Sequence, residues 1–188
     1  VAIEPKTGEI LCMVSAPTYD PNLITINRKR GNEYRKLQTD SLKPLFNRAL
    51  MAQYPPGSIF KPLMGLIALQ LGVLDAGEYM PCPGFYAYND LVVGCHGHPP
   101  TYNLGDAIQH SCNNYFCRVF RRVIDVEGFL EPEIGLDTLR HFVDKFGMGR
   151  KLGIDFPGER VGNVPDVAFY DKHYPKNKGG WKSPTLIS

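Results

Sequence analysis

Ser58 and Lys61 stand at the head of an apolar stretch, Ser58-Ile59-Phe60-Lys61-Pro62-Leu63-Met64-Gly65-Leu66-Ile67-Ala68-Leu69-Gln70-Leu71. On a helix, residues three apart share a face. Burial disfavours an ammonium, so Lys61, the only charge in the stretch, is expected to have a depressed pKa and to accept a proton at neutral pH. A neutral amine beside a hydroxyl activates a nucleophile without a histidine. The positive end of a helix favours the alkoxide and the oxyanion that its attack creates. The bland alternative has Lys61 snorkelling to the surface and Ser58 capping the helix, and Ser-x-x-Lys alone does not separate the two. Further on, Ser111-Cys112-Asn113 precedes another helical pattern. Its hydroxyl could relay protons and its amide could bind a substrate amide, although capping would explain it equally.

The second chemistry is that of sulfur. Five cysteines are many for this length, and an odd number cannot all pair internally. Cys82, Cys95, His98 and Cys112 offer three thiolates and an imidazole, a complete tetrahedral zinc set. Gly97 lets Cys95-His96-Gly97-His98 bend as a knuckle, with His96 as the rival imidazole. Four protein ligands leave no open position, so the role is structural, tying a loop to the residue between Ser111 and Asn113. Two alternatives stand beside the metal: a Cys82–Cys95 disulfide in an oxidising compartment, or thiols that are simply buried, as expected for Cys12 in a strand and Cys117 in a helix. His110, His141 and His173 have no partner cluster.

These residues must be held by elements that the pattern outlines. Val1–Glu4 and Ile10–Ser15 read as strands joined by a hairpin turn at Pro5-Lys6-Thr7-Gly8-Glu9. Residues 16–35, rich in Pro, Asn and Gly, read as an irregular connection in which Arg28-Lys29-Arg30 is solvated. Pro55-Pro56-Gly57 stops what precedes the 58–71 helix, and Pro62 is tolerable only near its start. With apolar residues on every side, that helix is expected to be buried in a domain centre. Residues 76–103 read as an excursion loop with a short strand at Asp90–Val93. Helical patterns resume at Leu104 and again over 113–124, and another runs through Leu136, Leu139, Phe142, Val143 and Phe146 to a C-cap at Gly147. The last forty residues look like loop.

The 188 residues carry 21 Lys+Arg against 19 Asp+Glu, a net charge of +2, with 43% hydrophobic and 21% charged residues. That composition suits a chain that buries a core and argues against disorder. It leaves no surplus of cations for phosphates, so no nucleic-acid partner is expected. Leu63–Leu74 is too short to span a bilayer, and Val1-Ala2-Ile3-Glu4-Pro5 lacks the pattern of a signal peptide. The length fits one domain or a piece of a larger one.

Tyr54-Pro55-Pro56-Gly57-Ser58-Ile59-Phe60-Lys61-Pro62 resembles the active-site segment of high-molecular-weight, class B penicillin-binding proteins, and Ser111-Cys112-Asn113 matches their second motif in the right order. The likeness continues through Ile3-Glu4-Pro5-Lys6-Thr7-Gly8-Glu9-Ile10-Leu11, Ser15-Ala16-Pro17, Tyr19-Asp20-Pro21-Asn22 and Asn47-Arg48-Ala49. It runs on to Phe146-Gly147-Met148-Gly149, Gly153-Ile154-Asp155 and Pro157-Gly158-Glu159. The Tyr-Pro-Pro-Gly-Ser form is closer to the elongation-type branch, penicillin-binding protein 2, than to the division enzymes. The resemblance implies an α/β fold of the penicillin-recognising serine transpeptidase type, an antiparallel sheet flanked by helices, of which residues 1–188 form the N-terminal part.

The same resemblance implies a peptidoglycan D,D-transpeptidase that cross-links stem peptides through an acyl-serine intermediate. Ser58 would attack the D-Ala–D-Ala carbonyl, and Lys61 would take its proton. Ser111 would pass that proton to the leaving amine, and Asn113 would hold the substrate amide. β-Lactams would acylate the same serine, and catalysis would require no cofactor. A metal beside the second motif occurs in some elongation-type relatives, with other ligand types. The implied setting is the periplasmic face of the inner membrane, with an anchor outside this chain, beside a membrane glycosyltransferase of the elongation machinery. The family's third motif, Lys-Thr-Gly on a central strand, is expected after the second. Lys6-Thr7-Gly8 has the letters but precedes Ser58 and falls in a hairpin turn, so the 188 residues are expected to be an incomplete transpeptidase domain with little activity alone and exposed apolar surface near the C-terminus. A serine β-lactamase or D,D-carboxypeptidase shares the Ser-x-x-Lys device, and a non-catalytic antibiotic sensor or cell-wall scaffold is the rival from another class.

Overall fold

Gly8 adopts φ +80° and closes the turn between β1 (Ala2–Ile3) and β2 (Ile10–Cys12), which pair antiparallel. The N–H of Gly8 donates to Glu4 O at 2.8 Å, and Glu4 N–H donates to Glu9 O at 2.9 Å. Lys6-Thr7-Gly8 therefore lies in a hairpin turn, as expected. The strands are shorter than their apolar runs, and Cys12 is exposed rather than buried. This computed structural model describes residues 1–25, 28–176 and 179–187, and the chain falls into two units.

The first unit comprises residues 1–54 and 151–162. The expected irregular connection over 16–35 contains a 3₁₀ turn, Pro21–Ile24, capped by the Asp20 side chain, and runs into α1 (Arg30–Thr39). Positions 26 and 27 of that connection lie outside the described residues. Helix α1 buries no residue and carries no apolar stripe, so the periodicity that reveals most helices is absent. Its support is local, including a Glu33–Lys36 pair at 2.8 Å. In α2 (Arg48–Met51), Asn47 caps the first turn by accepting from the N–H groups of Ala49 and Leu50. Ser15 Oγ donates to Phe46 O and accepts from Arg48 N–H, and Arg160 N–H donates to Leu50 O at 3.0 Å.

The second unit comprises residues 55–150 and 163–188 and carries all the candidate site residues. A 3₁₀ turn, Gly57–Phe60, leads into α3 (Lys61–Gln70), with Pro62 in the first turn where its missing N–H costs nothing. Leu63, Met64, Gly65, Ile67 and Ala68 are buried. The expectation of burial on all sides is wrong for the opposite face, where Ile59 is 82% and Leu66 57% exposed. Apolar character all round α3 does not bury it all round; the faces toward the following helices are covered, and the opposite one is not.

The excursion over 76–103 is more ordered than its composition suggests. β3 (Phe85–Tyr88) and β4 (Leu91–Gly94) form an antiparallel hairpin in the register Tyr88↔Leu91, with Asn89 at φ +50° in a two-residue turn. Then come α4 (Leu104–Gln109), α5 (Asn113–Ile124) and α6 (Pro132–Lys145), ending before Gly147 at φ +79°. The core is built on α5: Tyr115, Phe116, Val119, Val123 and Ile124 meet Ile67 and Ala68 on one side and Leu136, Leu139 and Val143 on the other. Gly135 makes the α5–α6 approach possible, since a Cβ there would sit 1.9 Å from Ile124 O.

The C-terminal segment is mostly loop, as expected, but not wholly so. It forms α7 (Val167–His173) and a 3₁₀ turn at Ser183–Leu186. Trp181 is 4% exposed, with its indole N–H donating to Asp171 at 2.9 Å. Ser183 is fully buried and donates to Asp125. Exposed apolar side chains do occur at this end, Phe169 at 37% and Tyr174 at 41%, whereas Trp181 joins the core. Among the described residues no helix is long and apolar enough to cross a membrane.

Candidate functional site

Helix α4 ends in a Schellman turn. Cys112 N–H donates to Ala107 O at 2.9 Å and Ser111 N–H to Ile108 O at 3.0 Å. This places Ser111 in the left-handed position at φ +50°, where glycine is usual and another residue costs about 1 kcal/mol. The chain then restarts as α5 with Cys112 as N-cap, its sulfur accepting from Tyr115 N–H at 3.4 Å. One strained residue thus joins two helices and turns both its carbonyl and its hydroxyl toward α3.

What they meet is Lys61. Its Nζ donates to Ser111 O at 2.6 Å, Ser111 Oγ at 2.9 Å and Asn113 Oδ1 at 2.6 Å, which uses all three ammonium donors. Asn113 is held from its other end, Nδ2 donating to Gly94 O at 2.7 Å. Lys61 Nζ also lies 5.8 Å from the centre of the Phe116 ring. Burial lowers the Lys61 pKa from 10.5, and the nearby sulfurs of Cys112, Cys95 and Cys117 act the other way. The amine therefore does not snorkel to the surface.

Ser58 is exposed in the 3₁₀ turn. Lys61 N–H donates to Ser58 O, and side chains three apart eclipse in a 3₁₀ turn, so both stand on one side. The lysine's hydrogen bonds run to the Ser111 triplet and not to Ser58. A cavity of about 190 Å³ beside them is lined by Lys61 and Asn113 together with Phe60, Met64 and Phe116.

Cys82, Cys95, His98 and Cys112 converge, their ligand atoms all within 4.8 Å of one another. The β3–β4 hairpin brings Cys82 and Cys95 to its base, Cys95 N–H donating to Gly84 O at 2.8 Å. Their sulfurs are 3.6 Å apart and no disulfide joins them. His98 Nδ1 lies 2.7 Å from Pro99 O, a group that only accepts, so Nδ1 carries the hydrogen. Nε2 is buried without a hydrogen-bond partner, which is how a ligating imidazole is presented. Cys95 Sγ accepts from Asn114 N–H at 3.3 Å. Burial opposes its ionisation, but that hydrogen bond and the neighbouring His98 and Cys82 side chains prevail and bring the thiol to about 7. Burial instead pushes Cys82 up to about 12. His96 is not in the cluster; its Nε2 lies 3.0 Å from His110 O. His110 is less bland than expected, stacking on His98 at 6.0 Å. Cys117 is half-buried, with burial pushing its thiol to about 11.

Sequence reasoning missed the part played by Gly94, a backbone carbonyl that no residue pattern reveals. The turn Tyr88-Asn89-Asp90-Leu91 was the available signal for the hairpin that delivers it.

Comparison with known proteins gives one pattern. The family model for the penicillin binding protein transpeptidase domain matches residues 1–177. A curated relative, the peptidoglycan D,D-transpeptidase MrdA of Acinetobacter baumannii, is 34% identical over 175 residues, covering 88% of this chain and 24% of the relative. The chain thus spans about a quarter of that protein's length. The crystal structure of PBP2 from Pseudomonas aeruginosa superposes with a TM-score of 0.76 at 31% identity, over 98% of this chain and 40% of that one. A peptidoglycan synthase complex described as coordinating polymerization and crosslinking matches at a TM-score of 0.78 and 26% identity, over 99% of this chain and 30% of its own.

Proposed function

The chain belongs to the penicillin-binding protein transpeptidase family, and from that footing we propose that residues 1–188 supply the acylating part of a peptidoglycan D,D-transpeptidase. The observation that carries the reading is the network of Lys61 with Ser111 and Asn113, three hydrogen bonds of 2.6 to 2.9 Å beside an exposed Ser58. A neutral Lys61 keeps two N–H donors and gains one lone pair. Two donors suffice for Ser111 O and Asn113 Oδ1, which frees the lone pair to take a proton from Ser58 directly or through Ser111 Oγ. Ser58 Oγ then attacks the penultimate D-Ala carbonyl, and Ser111 returns the proton to the departing D-Ala amine. A neighbouring stem amine resolves the ester by the reverse path, and a β-lactam ring enters at the same serine. Asn113 positions the substrate amide.

The sulfur cluster belongs to the same proposal. Three thiols and an imidazole with an unpartnered buried Nε2 fit a structural zinc ion. Cys82, Cys95, His98 and Cys112 would hold it, and when bound it would supply a crosslink rather than catalysis. Through Cys112 and the Cys95–Asn114 hydrogen bond, the chain's own groups would keep the first turn of α5 against the hairpin. Family and relatives support a periplasmic setting at the inner membrane. The match to a synthase complex supports a polymerising glycosyltransferase as partner.

The test is D-Ala release and crosslink formation by the full-length protein on pentapeptide-bearing precursor. Ser58→Ala is expected to abolish both, and retained crosslinking by that variant would overturn the reading.

A further inference from the structure

The distribution of exposure within the sulfur cluster divides it into unlike halves. Cys112 is fully buried, capped onto α5 through Tyr115 N–H. Cys82 and Cys95 are only half-buried, and they flank the hairpin whose first paired residues are Phe85 and Gly94. Their sulfurs stand 3.6 Å apart, and closing to the disulfide length of about 2 Å moves them together by about 1.5 Å. The adjoining backbone is already paired through Cys95 N–H and Gly84 O, so the change falls on the two side chains. Cys112 Sγ also lies within 4.8 Å of both sulfurs, but its complete burial withholds it from an oxidant in solution.

We propose that Cys82 and Cys95 form an oxidative modification site, at which a hydroperoxide converts the pair to a disulfide and thereby dismantles the metal centre. This inference rests on the metal reading above. One thiolate attacks the terminal peroxide oxygen, the O–O bond breaks, and a sulfenic acid forms while the alkoxide departs and takes a proton from solvent. The second thiolate attacks that sulfur and expels hydroxide, which takes another proton. Two thiolates are oxidised by two electrons, and one hydroperoxide is reduced to an alcohol and water. The disulfide leaves His98 and Cys112 as the only donors of the set. It also draws Cys95 Sγ off the Asn114 N–H, loosening the first turn of α5, which carries Asn113. The alternatives of metal site and disulfide are then two states of one site.

The test uses the full-length protein purified under reductant and loaded with zinc, with tert-butyl hydroperoxide as oxidant. A chromophoric chelator reports free metal, proteolytic mass spectrometry maps the disulfide, and amide exchange follows Asn114. One zinc released per peroxide consumed, a Cys82–Cys95 link, Cys112 still free for alkylation after unfolding, faster exchange at Asn114 and restoration by dithiothreitol are expected. Zinc that binds but stays bound under peroxide, or leaves with a different cysteine pair joined, would overturn this inference alone. A chain that takes up no zinc would overturn the metal reading and this inference together.

Discussion

Replacing Asn113 by Ala removes the acceptor that lies 2.6 Å from Lys61 Nζ. A hydrogen bond to a charged group contributes about 1.5–3 kcal/mol, against about 0.5–1.5 for a neutral one. The change also deletes the donor to Gly94 O, an exposed contact that water replaces, so the single variant mixes two effects. A double-mutant cycle with Lys61→Met separates them. Trp181, the one tryptophan of the sequence, is 4% exposed in the core of the second unit, so its fluorescence during urea unfolding reports on the unit that holds the pair. The expected coupling at pH 7 is about 1.5–3 kcal/mol. The pH dependence follows from the sign of the Lys61 shift. Its folded pKa lies below its ordinary value of 10.5, so between the two the unfolded chain binds more protons and stability rises with pH. Across that window the ammonium is lost and the coupling falls toward the neutral range. A coupling under about 0.5 kcal/mol at pH 7, within ordinary additivity error, would refute the view that Asn113 holds the lysine.

Lys61→Arg in the full-length protein keeps the charge but cannot give up its proton, so acylation by a fluorescent penicillin is expected to fall about 10²–10⁴-fold. The natural protein should acylate faster as pH rises toward the lowered Lys61 pKa, while the arginine variant shows no such rise; stopped-flow labelling compares them. Gly135→Ala should destabilise the second unit by about 3 kcal/mol or more, because a Cβ 1.9 Å from Ile124 O forces α5 and α6 apart; Trp181 fluorescence in urea measures it. Glu78, its pKa lowered chiefly by hydrogen bonding to Arg122, stabilises the fold above its unfolded value of 4.5 and loses that contribution as pH falls through the lower folded value. Both side chains are about a third or more exposed, so Glu78→Gln should remove no more than about 1 kcal/mol of acid-sensitive stability, read from unfolding midpoints between pH 6 and 3.

Helices with one apolar face toward a core were legible. The pattern Tyr115, Phe116, Val119, Val123, Ile124 marks α5 because those side chains are buried, and Gly147 marks the end of α6 for a conformational reason. Helix α1 left no trace because it buries no residue and so needs no apolar stripe. The exposed side of α3 was misread because residue type reports what a face can bury, not whether a neighbour exists to cover it. At the site, Ser58, Lys61, Ser111 and Asn113 were visible by type and order, and Cys-x-x-His announced the sulfur cluster. The left-handed turn at Ser111 was hidden, since a Schellman turn normally shows itself by glycine. So was the anchoring of Asn113 by Gly94 O, a contact made by backbone and therefore silent in side-chain pattern. The tail was hidden too, because Trp181 and Ser183 find their partners on α7 and at the end of α5.

A lysine network that activates one serine confines acylation to that serine, which covalent mapping reads. The full-length protein is treated with benzylpenicillin, digested and examined by mass spectrometry. A single penicilloyl adduct on Ser58 is expected, absent from the Lys61→Arg variant over the same exposure. An adduct on any other residue, or rapid stoichiometric labelling that leaves Ser58 unmodified, would contradict it.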